Sequence, residues 1–178
     1  EDPALVMGKC GQSHPLTPFY SHILSPKTHF GRLFLVELTR SCPFACSYCS
    51  IRKLYGEFYQ FDAKAILSIL QKVGHNIQEV GLVSALTTEY KGLETLIDKI
   101  NALDLSVNLA SLRLDRITDN LIEIISTNGQ KSVTLAPETG NDTMRRGLGK
   151  NFTNADLLNV AEKLYSSGIS KIKLYFII

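Results

Sequence analysis

Arg40-Ser-Cys-Pro-Phe-Ala-Cys-Ser-Tyr-Cys-Ser50 puts Cys42, Cys46 and Cys49 in the pattern C-x3-C-x2-C, directly after the apolar run Leu33-Phe-Leu-Val-Glu-Leu-Thr39. A short apolar run rich in aromatic and branched residues reads as a buried strand, so the cysteines sit on the loop that leaves it. Pro43 bars a regular helix or strand immediately after Cys42, which lets the loop wrap around something. Thiolates this close repel one another unless a soft metal centre neutralises them. Such groups therefore bind zinc or iron–sulfur clusters.

The count of three decides what kind of centre to expect. A structural zinc site wants four protein ligands in a closed tetrahedron, and an ordinary [4Fe–4S] cluster wants four cysteines. Three closely spaced cysteines leave one metal corner without a local protein ligand, and chemistry can happen at an open corner. The alternative is a zinc-stabilised, non-enzymatic binding module closed by Cys10, Cys42, Cys46 and Cys49. Against it stands the absence of a second C-x2-C or Cys/His pair in the sequence. A disulfide framework does not suit a chain of 178 residues with four cysteines.

Working outward, residues 1–31 carry four prolines and Gly8, Gly11 and Gly31. They read as an irregular lead-in or linker that packs across the domain. Cys10, His14, His22 and His29 lie there and are taken as surface or packing residues, with the Cys10–His14 spacing kept as a weaker metal alternative. From Leu33 onward the chain alternates strand and helix. Asp62 caps a helix with Ile66, Leu67, Ile69, Leu70 and Val73 inward, ended by Gly74. Glu79–Val83 is a second strand, followed by a helix carrying Leu93, Leu96, Ile97, Ile100 and Leu103. Ser106–Ala110 is a third strand. Thr118 then caps a helix with Leu121, Ile122, Ile124 and Ile125 inward. Ser132–Ala136 is a fourth strand, halted by Pro137. Thr153-Asn-Ala-Asp156 looks like a capping box, opening a helix with Leu157, Leu158, Ala161 and Leu164 inward. Lys171–Ile178 is a fifth strand.

Regular alternation of short apolar strands with helices argues for parallel strands under covering helices. The expected fold is α/β: a partial (β/α) barrel over residues 32–178, with right-handed crossovers and outer helices. A closed eight-stranded barrel takes roughly 250 residues. The last residues lie inside an apolar strand, an edge that natural domains avoid exposing, so a fragment of a longer chain is expected.

The composition is that of an ordinary globular chain: 44% hydrophobic, 20% charged, net charge +2. The near-balance gives no electrostatic argument for nucleic acid or a membrane surface. No apolar run approaches a membrane span and no signal peptide is evident. Reduced thiols point to the cytoplasm.

In a βα barrel, function collects at the C-terminal ends of the strands. The rim candidates are therefore Ser84–Glu89 after strand two and Ser111, Arg113, Asp115 and Arg116 after strand three. Strand four is followed by Pro137–Asn141 and then Arg145, Arg146 and Lys150. For any single charged residue a solvated loop or a salt bridge is the plainer reading. Glu138 stands apart, because it follows a strand directly, between Pro137 and Gly140, on the rim that carries the cysteines.

The cysteine pattern, with the aromatic Tyr48 just before its last cysteine, resembles the radical S-adenosylmethionine (SAM) superfamily. That resemblance implies a [4Fe–4S] cluster on Cys42, Cys46 and Cys49, with SAM chelating the fourth iron. Reductive cleavage of SAM would then give a 5′-deoxyadenosyl radical. It also implies an electron donor such as a flavodoxin or ferredoxin. Ser111-Leu-Arg-Leu-Asp115, Gly129-Gln-Lys-Ser-Val-Thr-Leu-Ala-Pro-Glu-Thr-Gly140, Arg145-Arg146 and Lys171-Ile-Lys-Leu-Tyr-Phe176 resemble one branch, the B12-binding-domain radical SAM proteins. The similarity runs from about Ser25 to Ile178. It implies that Glu138, Arg113 and Arg145 line the SAM site. It assigns no catalytic residue, and methylation, sulfur insertion, tRNA modification and rearrangement share this core. Two departures mark a divergent member: Arg40-Ser41-Cys42 where the branch commonly has Arg-Gly-Cys, and Ala45-Cys46 where it has Gly-Cys. Cobalamin is expected only through a domain outside these residues.

Overall fold

The computed structural model describes residues 17–28, 30–110 and 112–178. In chain order the elements are β1 (Phe34–Glu37), β2 (Thr39–Arg40), α1 (Ile51–Tyr55), β3 (Tyr59–Gln60), α2 (Ala63–Val73), β4 (Glu79–Val83), α3 (Leu93–Asn101), β5 (Ser106–Leu109), α4 (Asp119–Thr127), β6 (Ser132–Glu138), α5 (Asp142–Gly147), α6 (Asn154–Ser166) and β7 (Lys171–Phe176). Cys10, His14, His29 and Ser111 lie outside the described residues. No helix among the described residues is long and apolar enough to cross a membrane.

β1, β4 and β5 form one parallel sheet with β4 in the middle, and β6 and β7 form a second parallel pair. These five strands and the helices between them make a partial α/β barrel of parallel strands. Phe34, Val36 and Leu38 point inward from the first strand run, alongside Val80, Leu82, Val107 and Leu109. Ile66 and Leu70 of α2, Leu96, Ile97 and Ile100 of α3, and Leu121, Ile122 and Ile125 of α4 close over them. Each fully buried side chain of this kind stabilises the fold by about 1.5–3 kcal/mol. Gly81 sits mid-strand because a Cβ there would meet Leu35 Cδ2 at 2.7 Å.

No backbone ladder joins β5 to β6; side-chain amides stand in for it. Gln130 Oε1 accepts from Leu109 N–H at 2.8 Å, while its Nε2 donates to the carbonyls of Leu109 and Ser132 at 3.0 and 2.8 Å. Asn128 Oδ1 accepts from Val107 N–H at 2.9 Å. Buried strand groups must find partners, and here two amides supply them. The other margin of the sheet is met by the lead-in. Tyr20 bridges Val36, with Ser21 N–H donating to Leu35 O and Glu37 N–H to Phe19 O. His22 tilts against the Tyr20 ring at 4.6 Å.

The structure departs from the expected elements at several places, the short helix α1 among them. The run Leu33–Thr39 divides, since β2 turns away to pair antiparallel with β3. The segment 41–58 is thereby closed at its base by a two-residue ladder, too short to leave a periodic signature. β6 does not halt at Pro137 but continues through it to Glu138, where the pairing with β7 shifts register between Leu135 and Glu138. A proline lacks only the N–H, which an irregular register leaves unused. α5 is a further short helix opened by Asn141, whose side chain accepts from Met144 N–H. Finally Leu158 is 70% exposed, whereas Leu164 is fully buried. The apolar stripe of α6 therefore runs through Leu157, Val160 and Leu164 and passes Leu158 by.

Candidate functional site

The cysteine loop leaves β2 through Ser41, whose φ of +65° lies in the left-handed region. A Cβ there costs roughly 1–2 kcal/mol, a cost that a glycine would avoid. Ser41 offsets the cost: buried, it donates from Oγ to the Gly56 carbonyl at 2.7 Å, tying the start of the loop to its end. Cys49 N–H donates to Cys46 O at 3.1 Å, which turns the loop between the last two cysteines. α1 follows directly. Cys42, Cys46 and Cys49 are free thiols, each half-buried. Burial pushes the Cys42 thiol above its ordinary pKa, the Phe44 backbone amide opposes this, and Cys46 and Cys49 add to the rise. Cys42 therefore ionises readily only with a positive centre to hold.

All three cysteines line a cavity of about 390 Å³ at the C-terminal ends of the parallel strands. Its wall is mainly apolar, with Leu86, Ala110 and Ala136 among the lining residues, and its polar residues include Tyr48, Arg113, Glu138 and Lys150.

Glu138 ends β6 with a φ of +64°, a backbone state that side chains seldom adopt and that gathers at functional sites. Its Oε1 accepts from Lys150 Nζ at 2.6 Å and from Tyr48 OH at 2.8 Å. Lys150 Nζ also donates to Ala136 O at 2.5 Å. Glu138 Oε2 takes part in no hydrogen bond among the described residues, so half of a buried carboxylate is left to the cavity. Burial, followed by the hydrogen bond to Glu138, drives the Tyr48 hydroxyl far above its ordinary pKa. Tyr48 is thus a donor at every ordinary pH. Glu138 lies on the cavity rim where its place after the strand puts it, but its Tyr48–Lys150 partnership spans positions too far apart to be read from the chain.

Arg113 is buried, with a ring of partners. Its guanidinium lies 4.0 Å from the centre of the Phe44 ring. Nε donates to Asp115 at 2.7 Å, Nη2 to the Gly149 carbonyl at 2.9 Å, and Nη1 reaches Cys46 Sγ at 3.9 Å. Burial opposes its charge, yet Asp115 and Cys46 outweigh that and hold the guanidinium above its ordinary pKa. Gly149, at φ +89°, brings its backbone so close that a Cβ would lie 3.4 Å from Cys46 Cα.

Arg145 is the correction. It is fully buried and is not among the residues lining the cavity. Nε donates to Pro137 O (3.1 Å), Nη1 to Asp142 Oδ1 (2.6 Å) and Phe152 O (3.2 Å), and Nη2 to Thr139 O (2.5 Å) and Asn154 Oδ1 (2.6 Å). A guanidinium has five N–H donors, and all are engaged within the fold. Arg145 holds the turn that aims Glu138 and has nothing left for a ligand. Arg116 lies outside the lining as well, paired with Glu89 at 3.1 Å.

The donor set fits a cluster better than a single ion. Four sulfurs around one zinc, each about 2.3 Å from the metal, would stand about 3.8 Å apart. Among the described residues no three His, Cys, Asp or Glu side chains converge that way. A multi-iron cluster is held at its separate corners, and three half-buried thiols line this one cavity.

The model of the radical SAM superfamily matches residues 36–178. An uncharacterised protein of Methanocaldococcus jannaschii is 28% identical over 151 residues, covering 84% of this chain and 33% of that protein. The ribosomal protein uS12 methylthiotransferase RimO of Thermosipho melanesiensis is 28% identical over 153 residues, 78% of this chain and 36% of its own. The chain therefore spans about a third of the length of these relatives. The radical SAM methyltransferase TsrM of Kitasatospora setae, solved with cobalamin and a [4Fe–4S] cluster bound, superposes with a TM-score of 0.63 at 10% identity, covering 79% of this chain and 30% of that one. The cobalamin-dependent SAM radical enzyme OxsB, solved with aqua-cobalamin and SAM, gives 0.60 at 16% identity, covering 80% and 23%. Such low identities establish a likeness of fold, while the family match covers most of the sequence itself. By that match, and with three cysteines facing the cavity of a partial barrel, the chain belongs to the radical SAM superfamily.

Proposed function

We propose that this chain carries the SAM-activating core of a radical SAM enzyme, with a [4Fe–4S] cluster on Cys42, Cys46 and Cys49 and SAM in the adjoining cavity. The observation that carries this reading is the meeting of three half-buried thiols with a buried, half-free carboxylate, Glu138, on one cavity wall. Such a cluster, once reduced, supplies the electron that cleaves SAM and begins radical chemistry.

The residues of the chain then have separable tasks. Glu138 Oε2 accepts from the SAM ammonium, while Lys150 and Tyr48 hold the carboxylate through Oε1. Arg113 adds positive charge beside Cys46, favourable to a reduced cluster. The apolar wall excludes water. An external donor of the flavodoxin or ferredoxin kind would supply the electron, in the cytoplasm. Cobalamin would enter only through a domain outside these residues. The family match gives no support to the zinc-module alternative.

Anaerobic reconstitution with iron and sulfide, followed by EPR of the dithionite-reduced protein with and without SAM, tests the proposal. A [4Fe–4S] signal that changes on adding SAM is expected. Glu138→Gln should keep the cluster while weakening SAM binding about 10- to 100-fold, the worth of one charge-assisted hydrogen bond. One tightly held zinc per chain and no cluster would overturn the reading.

A further inference from the structure

Arg113 stands on the side of the cavity where the sulfur of Cys46 lies, and its surroundings define a task different from binding SAM. Its plane packs on Phe44, two residues before Cys46, at 4.0 Å. Nε is committed to Asp115 and Nη2 to the Gly149 carbonyl, which leaves Nη1 directed at Cys46 Sγ at 3.9 Å. Three of its five N–H donors are thus engaged, one on each nitrogen, and the one that meets a sulfur is on Nη1. Gly149 closes the arrangement: its backbone packs against the Cys46 backbone and holds the carbonyl that anchors Nη2. Among the described residues no other cation makes a hydrogen bond to one of the three cysteines.

We infer that Arg113 is a positioning residue for the cluster, donating to Cys46 Sγ and thereby raising the cluster's reduction potential, rather than a clamp for the SAM carboxylate. The inference rests on the proposed cluster at Cys42, Cys46 and Cys49. Its physics is general. An electron added to an iron–sulfur cluster spreads onto the thiolate sulfurs, and a charged donor at a sulfur stabilises the reduced state more than the oxidised one. The rigid seat between Phe44, Asp115 and Gly149 keeps that donor in place through reduction, so little reorganisation opposes it.

The test uses the full chain reconstituted anaerobically, without SAM. The midpoint potential is read by mediated titration with dithionite, following the EPR signal of the reduced cluster. Arg113→Gln and Arg113→Lys should both retain iron and shift the midpoint negative. A shift of about tenfold in the reduction equilibrium, which is 59 mV for one electron, is expected for the glutamine. SAM affinity, measured calorimetrically on the oxidised protein, should change by less than about threefold, which separates a donor to Cys46 from a clamp for the SAM carboxylate. Phe44→Leu leaves the guanidinium but removes its seat, and should shift the midpoint in the same direction by less.

An unchanged midpoint with weakened SAM binding would overturn the inference and restore Arg113 as the carboxylate clamp. Loss of the cluster from all three variants, with full occupancy in the wild type, would also overturn it, because Arg113 would then serve assembly. Failure of the wild type itself to take up iron is a different result. It strikes the cluster assignment.

Discussion

Replacing Arg145 by methionine separates what the chain order implies from what the fold does with this residue. Methionine keeps the length of the side chain and removes the charge with all five donors. The backbone carbonyls of Thr139 and Phe152 lose their partner and that of Pro137 keeps only the Thr139 N–H, while Asp142 and Asn154 lose the guanidinium but keep their other contacts. The last two are accessible enough to turn to water, Asp142 being 38% exposed. The carbonyls cannot all do so. An orphaned buried acceptor costs about 1–3 kcal/mol, and removing one partner of a buried ionic network about 3–5 kcal/mol in total. With a urea dependence of about 2 kcal/mol per molar, the midpoint of unfolding by circular dichroism should fall by roughly 1.5–2.5 M. SAM affinity of the folded, reconstituted variant should change only as far as Glu138 is disturbed. A midpoint within about 0.3 M of wild type, with SAM binding lost, would refute this account and return Arg145 to the ligand site.

Three further outcomes test the frame around the site. Gly149→Ala forces a side chain onto a φ of +89° and should cost about 1–2 kcal/mol. It should also displace the Cys46 loop, read as reduced iron content after reconstitution. Gln130→Leu orphans Leu109 N–H and C=O at the seam between β5 and β6 and should lower stability by about 2–4 kcal/mol in denaturant. On the acid side, Thr153 holds the Asp156 carboxylate below its ordinary value of 3.8 in the folded chain. Its contribution to α6 is therefore complete above that value and is lost as pH falls through the lower folded pKa. Asp156→Asn should remove that part of the acid transition, seen by helical circular dichroism below about pH 4.

The principal helices were legible because each announces itself locally. Asp62, Thr118 and Thr153 all cap as their positions imply, each side chain accepting from a backbone N–H of the first turn. The five parallel strands were legible for a similar reason, being short apolar runs between caps. β2, β3 and α5 carried no such signal. Two-residue strands and a six-residue helix are stabilised by what they touch, and their own residues show no period.

The same division runs through the site. The chain by itself determined the chemistry: three thiols at C-x3-C-x2-C spacing can hold one cluster whatever surrounds them, because their proximity is covalent. It also determined that Glu138 would stand on the strand-end rim with them, since alternation of strand and helix places every strand end on one side. Tertiary structure alone decided between the two arginines. Arg113 and Arg145 follow strands alike, yet one packs against Phe44 and Cys46 and the other is consumed by five internal acceptors. That choice depends on carbonyls and rings brought together from distant positions, and a guanidinium takes its role from the acceptors within reach of its five hydrogens.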